Sequence, residues 1–143
     1  MARRSRILKR RMNLKKISIV LSVIIGLTLL NCKQTSAQQS TLLEPQEMKE
    51  FLSSNDILLV DVRTPNEFNS GHIENAINVD FKSSDFAEKV QKLDTTKTLV
   101  IYCRSGRRSG MGTPEFEKAG FKKVYDLKGG VLNWQKNDLK LVK

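Results

Sequence analysis

From residue 41 onward the chain alternates short apolar runs with segments of helical spacing. Thr41-Leu42-Leu43 reads as a brief strand. Pro45 to Leu52 places proline at a helix start and acids in the first turn, where both are favoured. Ile57-Leu58-Leu59-Val60 is a continuous apolar run of the kind a buried parallel strand shows. Pro65-Asn66-Glu67-Phe68 makes a turn of helix, and Ala76-Ile77-Asn78-Val79 a further strand. Ser84 to Leu93 carries Phe86, Val90 and Leu93 at helical spacing. Thr98 to Tyr102 is another buried strand. Val124-Tyr125-Asp126 follows, closed by Gly129-Gly130, and Leu132 to Leu139 forms the last helix. Short strands alternating with helices predict a parallel α/β sheet. In such sheets, sites form beyond the carboxyl ends of the strands.

The first part of the chain follows another pattern. Residues 1–16 hold Arg3, Arg4, Arg6, Lys9, Arg10, Arg11, Lys15 and Lys16 and no acid, and Ile17 to Leu30 is uncharged. That run is shorter than the roughly 20 residues of a membrane-spanning helix and fits a secretory h-region. Thr35-Ser36-Ala37 supplies small residues at the exit, so residues 1–37 are expected to be a signal peptide and residues 38–143 the domain. An uncleaved anchor is the alternative. Met12-Asn13-Leu14-Lys15-Lys16 is itself a compact n-region, so translation can start at Met1 or at Met12. Leu29-Leu30-Asn31-Cys32-Lys33 resembles a bacterial lipobox, with Asn31 where a small residue is usual. Two exits are therefore open: cleavage after Ala37, or lipidation of Cys32. Arg10-Arg11 is a weak match to a twin-arginine signal, and the ordinary secretory route is preferred. The expected location is the periplasm, with any membrane attachment through the signal or a lipid.

Removing that segment changes the charge. The whole chain is +10, but residues 1–37 contain nine of its 25 Lys+Arg and none of its 15 Asp+Glu. The remaining domain is near +1. The basic balance is a targeting feature, and no basic stripe with interleaved aromatics argues for nucleic acid. The domain is of a size that buries a core unaided and is expected to be monomeric. Beyond residue 37, Cys103 is the only cysteine. A lone thiol disfavours dithiol redox chemistry, and one histidine with one cysteine cannot build a zinc site. No cofactor is implied.

Candidate chemistry concentrates at Cys103-Arg104-Ser105-Gly106-Arg107-Arg108-Ser109. The thiol ends a strand and precedes residues that can open a helix. Helix N–H groups and three arginines favour the thiolate, which is the nucleophile. Gly106 lets the backbone curl tightly. The N–H groups of Arg104 to Arg108 can cradle developing negative charge, and Arg104, Arg107 or Arg108 can hold an oxyanion in a fork. A buried structural cysteine is the bland alternative.

Several separated motifs share an order with a known family: Leu58-Leu59-Val60-Asp61-Val62-Arg63, Glu67-Phe68, Gly71-His72-Ile73 with Ala76-Ile77-Asn78, the Cys103 loop, Ala119-Gly120-Phe121, and Leu127-Lys128-Gly129-Gly130-Val131 with Trp134. From about Leu42 to Trp134 the chain resembles the rhodanese family. The resemblance implies one α/β domain around a five-stranded parallel sheet flanked by helices. It implies sulfur transfer. The cysteine attacks the outer sulfur of thiosulfate or a related anionic donor, holds it as a persulfide, and passes it to cyanide or a thiol. Cys103 would be catalytic, with Arg104, Ser105, Gly106, Arg107 and Arg108 binding substrate. Arg108 ranks first among the arginines because the family most often has arginine there.

Two other functions compete with sulfur transfer. Related phosphatases and arsenate reductases use a longer loop with arginine six positions after the cysteine, where this chain has Ser109. An exported sulfur-carrier or partner-binding module with little turnover is the second. His72 and Trp134 read as scaffold and core, and Asp61 with Arg63 as a charged pair ordering the loop after its strand. Gly110, Gly112 and Pro114 predict that the helix behind Cys103 is short, kinked or restarted at Thr113, since glycine costs about 1 and proline about 3 kcal/mol inside a helix.

Overall fold

The structure, a computed structural model, describes residues 40–53 and 56–143. The expected signal segment, Cys32 and both candidate starts lie outside the described residues. Five strands, β1 (Thr41–Leu43), β2 (Ile57–Asp61), β3 (Ile77–Asn78), β4 (Thr98–Tyr102) and β5 (Val124–Leu127), form one parallel sheet in the order β1-β5-β4-β2-β3. Among the described residues five helices accompany them: α1 (Pro45–Phe51), α2 (Pro65–Asn69), α3 (Phe86–Gln91), α4 (Arg107–Ala119) and α5 (Gly130–Lys136). The expected α/β architecture is therefore present.

Side-chain alternation along the strands sorts the core into two layers. Leu99, Ile101 and Cys103 join Val60, Val62 and Val124 on one face, beneath Phe86 and Val90 of α3 and Phe116 of α4. Val100 and Tyr102 join Leu59 and Leu127 on the other, with Met48 of α1 and Val131 and Trp134 of α5. Cys103 therefore faces α4, one residue past the end of β4.

The residues named as scaffold behave so. Arg63 clamps Asp61, with Nη2 2.7 Å from Oδ2, and also donates to the Gly71 carbonyl at 2.7 Å. Both residues are buried. The His72 ring stacks on Phe68 at 3.8 Å and its backbone pairs with Val142. Trp134 is buried and donates to the Lys140 carbonyl.

Two elements differ from expectation. Helix α4 runs unbroken from Arg107, with Pro114 inside it. Proline leaves the Gly110 carbonyl without a helix donor, and Gly110 is exposed, so that carbonyl is not shut away from solvent. Thr113 Oγ1 donates back to the Ser109 carbonyl at 3.1 Å. Gly112 is there for packing, since a Cβ would meet Phe86 Cζ at 3.2 Å. Tertiary contact on the buried face, through Gly112, Thr113 and Phe116, outweighs the weak helix propensity. The last helix begins two residues earlier than expected, at Gly130, and ends at Lys136, for a reason that belongs to the site.

Candidate active site

β4 delivers Cys103 to the carboxyl edge of the sheet, and the next residues wrap it. Gly106 adopts φ +91°, a left-handed value that turns the loop back over the sulfur. Its N–H donates to Cys103 Sγ at 3.1 Å. The Ser109 hydroxyl lies 3.5 Å from the same sulfur and 3.1 Å from the Gly106 carbonyl. Cys103 is 1% exposed. The sulfur thus lies at the floor of a short loop, under the N-terminus of the 13-residue α4.

The predicted loop residues stand at different depths. Arg104, Ser105 and Arg107 are exposed, whereas Gly106 and Arg108 are half-buried. Arg104, Ser105, Arg107 and Arg108 border an open cleft of about 570 Å³, together with Thr64, Glu67, Phe81, Lys82 and Met111. Four cations and one carboxylate give this mouth a positive balance, which suits an anion.

Arg108 has a partner the sequence reading did not assign. Its guanidinium grips Glu67 with Nη1–Oε2 and Nη2–Oε1 both at 2.7 Å. Glu67 also accepts from the Thr64 amide and hydroxyl, closing the N-terminal cap of α2. Hydrogen bonding from Arg108 first, then from Thr64, pulls the Glu67 carboxyl down to about 2. Thr64-Pro65-Asn66-Glu67 is legible as a capping box, but its contact with a loop 41 residues away is not.

Three further residues take places at the site that the sequence did not assign them, a glycine pair and an acid. Gly129 and Gly130 have φ +74° and +61°, and a Cβ on Gly130 would stand 2.4 Å from the Cys103 carbonyl oxygen. This closeness lets the Val131 and Leu132 amides donate to the Cys103 and Arg104 carbonyls at 3.0 and 3.2 Å. The start of α5 therefore anchors the Cys103 loop, which is why that helix begins at Gly130. Asp126 is the acid. β5 alternation puts it on the α4 side with Val124, at 1% exposure. Burial pushes its carboxyl up to about 7, against hydrogen bonding by Ser109 and the Leu127 amide.

Comparison with known proteins agrees with this geometry. The family description "Rhodanese-like domain" matches residues 44–137. A tRNA uridine(34) hydroxylase of Pelagibacter ubique is 35% identical over 96 residues, covering 66% of this chain and 32% of that protein. A probable adenylyltransferase/sulfurtransferase, MoeZ, of Mycobacterium tuberculosis is 33% identical over 101 residues, covering 70% of this chain and 26% of that protein. The chain spans about a third or less of the length of these curated relatives. Among solved structures, a rhodanese-related protein of Thermoplasma volcanium superposes with TM-score 0.63 at 25% identity, covering 71% of this chain and 97% of the other. The 3-mercaptopyruvate sulfotransferase SseA of Escherichia coli shares the fold, with TM-score 0.62 at 21% identity over 73% of this chain and 52% of its own.

Proposed function

This chain belongs to the rhodanese-like domain family, and we propose that it is a sulfurtransferase working through a Cys103 persulfide. The observation that carries the reading is the enclosed sulfur, with the Gly106 N–H donating to it at 3.1 Å. The thiolate attacks the outer sulfur of thiosulfate or a related anionic donor. The donor's S–S bond breaks and sulfite leaves with its electron pair. Cyanide or a thiolate then attacks the outer persulfide sulfur, and Cys103 leaves as thiolate. Negative charge stays on sulfur throughout, and backbone N–H groups of the loop are placed to stabilise it.

The mouth explains donor choice. Arg104 and Arg107 are exposed at the cleft and draw in a dianion, with Lys82 beside them. Arg108, fixed by Glu67, supplies a charge that does not need to reorganise. The test is thiocyanate production from thiosulfate and cyanide. Cys103→Ser should abolish it, and Arg104→Ala or Arg107→Ala should mainly raise the donor KM. Turnover undiminished in Cys103→Ser overturns the reading.

The proposal includes export. The basic segment, apolar run and small-residue exit support a signal over residues 1–37, or one ending before a lipidated Cys32. N-terminal sequencing of protein from its native cell should begin at Gln38 or find a blocked, lipidated Cys32. An intact 17–30 segment overturns this part.

A further inference from the structure

The cations at the mouth above Cys103 are of two kinds. Arg104, Arg107 and Lys82 are exposed and make no ion pair among the described residues. Arg108 alone of the four is paired, and it is the most sheltered, with its side chain 16% exposed. Glu67 accepts from both of its terminal nitrogens at 2.7 Å, the end-on fork that an oxyanion would otherwise use. The carboxylate is itself held in place. Its Oε2 accepts from the Thr64 amide at 3.1 Å and from the Thr64 hydroxyl at 2.9 Å. Arg63 is locked to Asp61 and does not compete for Glu67.

An unpaired guanidinium at that depth would hold a dianion tightly. Sheltered charges are screened less than exposed ones, and bidentate charge-assisted bonds are the strong kind. Such a hold would act alike on the bound donor, on the departing sulfite and on unreactive dianions such as sulfate. Binding that is equal in the ground and transition states lowers KM without raising kcat. A tight inner wall would therefore retain anions without speeding transfer. With Glu67 in place the pair is neutral overall. Attraction is left to the exposed rim, which draws anions in without trapping them.

We propose that Glu67 is a specificity-determining residue of this site: by occupying the Arg108 fork and cancelling its charge, it keeps the mouth from retaining sulfate-like dianions and leaves the loop open to the donor. The inference rests on the sulfurtransferase reading for its meaning in turnover, and on the ion pair alone for its effect on anion binding. Arg108 keeps its fixed position, and Glu67 sets how strongly it pulls. The Glu67 carboxyl is held down to about 2, so the pairing persists at neutral pH.

The test uses the full chain and reads anion binding without turnover. Cys103 is alkylated with iodoacetamide at constant ionic strength, the adduct is located by peptide mass, and the sulfate concentration that halves the rate is measured. Glu67→Gln keeps the shape but has a single acceptor oxygen, so one terminal nitrogen of Arg108 is released. Sulfate should protect this variant at a concentration about tenfold lower than wild type, the order that one charge-assisted hydrogen bond supplies. Glu67→Ala, which removes both bonds, should show a shift in the same direction. The thiosulfate KM should fall in both variants with no rise in kcat. Combining Glu67→Gln with Arg108→Met restores the neutral balance and removes the fork, so the protecting concentration should return to near that of wild type. Protection that is unchanged or weaker in both Glu67 variants overturns the proposal, and so does tight protection that survives Arg108→Met. Thermal unfolding identifies the variants that are folded at the assay temperature. Loss of a purely structural bond lowers stability without tightening sulfate. If no persulfide forms in any variant, the sulfurtransferase reading fails, while the sulfate concentrations still decide the role of Glu67.

Discussion

Gly130 is the position at which one added methyl group should do the most damage. Its φ of +61° is left-handed, a conformation that costs a non-glycine residue roughly 1–2 kcal/mol. Its would-be Cβ lies 2.4 Å from the Cys103 carbonyl oxygen and 2.6 Å from the Arg104 carbonyl carbon and oxygen. Carbon and oxygen ordinarily approach to about 3.3 Å, so the two segments must part by roughly 1 Å. Parting them breaks the Val131–Cys103 and Leu132–Arg104 backbone hydrogen bonds, worth about 1 kcal/mol each net. Gly130→Ala should therefore cost about 3–4 kcal/mol, a large fraction of a domain stability that is generally about 5–15 kcal/mol. It should also displace the loop that holds Sγ. Gly120→Ala is the control, because Gly120 has φ +110° but its Cβ would meet only Thr95 Cγ2 at 3.8 Å. That variant carries the backbone strain without the clash. Urea unfolding of the three proteins gives the stabilities, and the thiosulfate rate reports the loop. A Gly130→Ala loss no larger than that of Gly120→Ala, with an unchanged rate, refutes the anchoring role of α5.

Gly110→Ala should stabilise the protein by about 0.5–1 kcal/mol, because nothing lies within 4 Å of the new methyl and helix propensity improves; Gly112→Ala should not, because Phe86 stands at 3.2 Å, and thermal unfolding of both variants checks the contrast. Glu67→Gln should lower stability at neutral pH by about 1–2 kcal/mol, allowing for solvent screening of a carboxylate that is 31% exposed. The Glu67 carboxyl is depressed from 4.5 to about 2, so its contribution is present above about 4.5 and is lost as the pH falls toward 2; the variant's acid-unfolding limb should be flatter there. The Asp126 carboxyl is raised from 3.8 to about 7, so its contribution is present below about 4 and is lost as the pH climbs to about 7. Asp126→Asn should abolish that decline and exceed wild type above pH 7 by up to about 4 kcal/mol in urea unfolding, the energy equivalent of that rise.

Much of the fold was legible because its signals are local. Ile57–Asp61 and Thr98–Tyr102 are continuous apolar runs ending in polar residues, and parallel strands buried on both faces require that pattern. Proline at the starts of α1 and α2 marked both helices. The Cys103 loop was legible because a thiol, a glycine and three arginines sit together in sequence. What escaped depends on contacts between distant segments. Glu67 looks like a cap and is also the partner of Arg108. Gly130 looks like the end of a strand and is the point where α5 reaches the Cys103 carbonyl. Asp126 is a lone acid in a short strand, and only the packing of the sheet reveals that it is buried, with Oδ1 left without a partner. Helix α4 was misjudged for the complementary reason. Propensity penalised Gly112 and Pro114, whereas close packing on Phe86 requires a residue as small as glycine at position 112.

The central claim is that Cys103 carries transferable sulfur, and mass spectrometry of the reduced, purified protein tests it most directly. After incubation with thiosulfate, the peptide containing Cys103 should gain one sulfur atom. Cyanide should remove it with formation of thiocyanate, and Cys103→Ser should never acquire it. A folded wild-type protein whose Cys103 stays unmodified with thiosulfate and with every other sulfane donor tried would contradict the account.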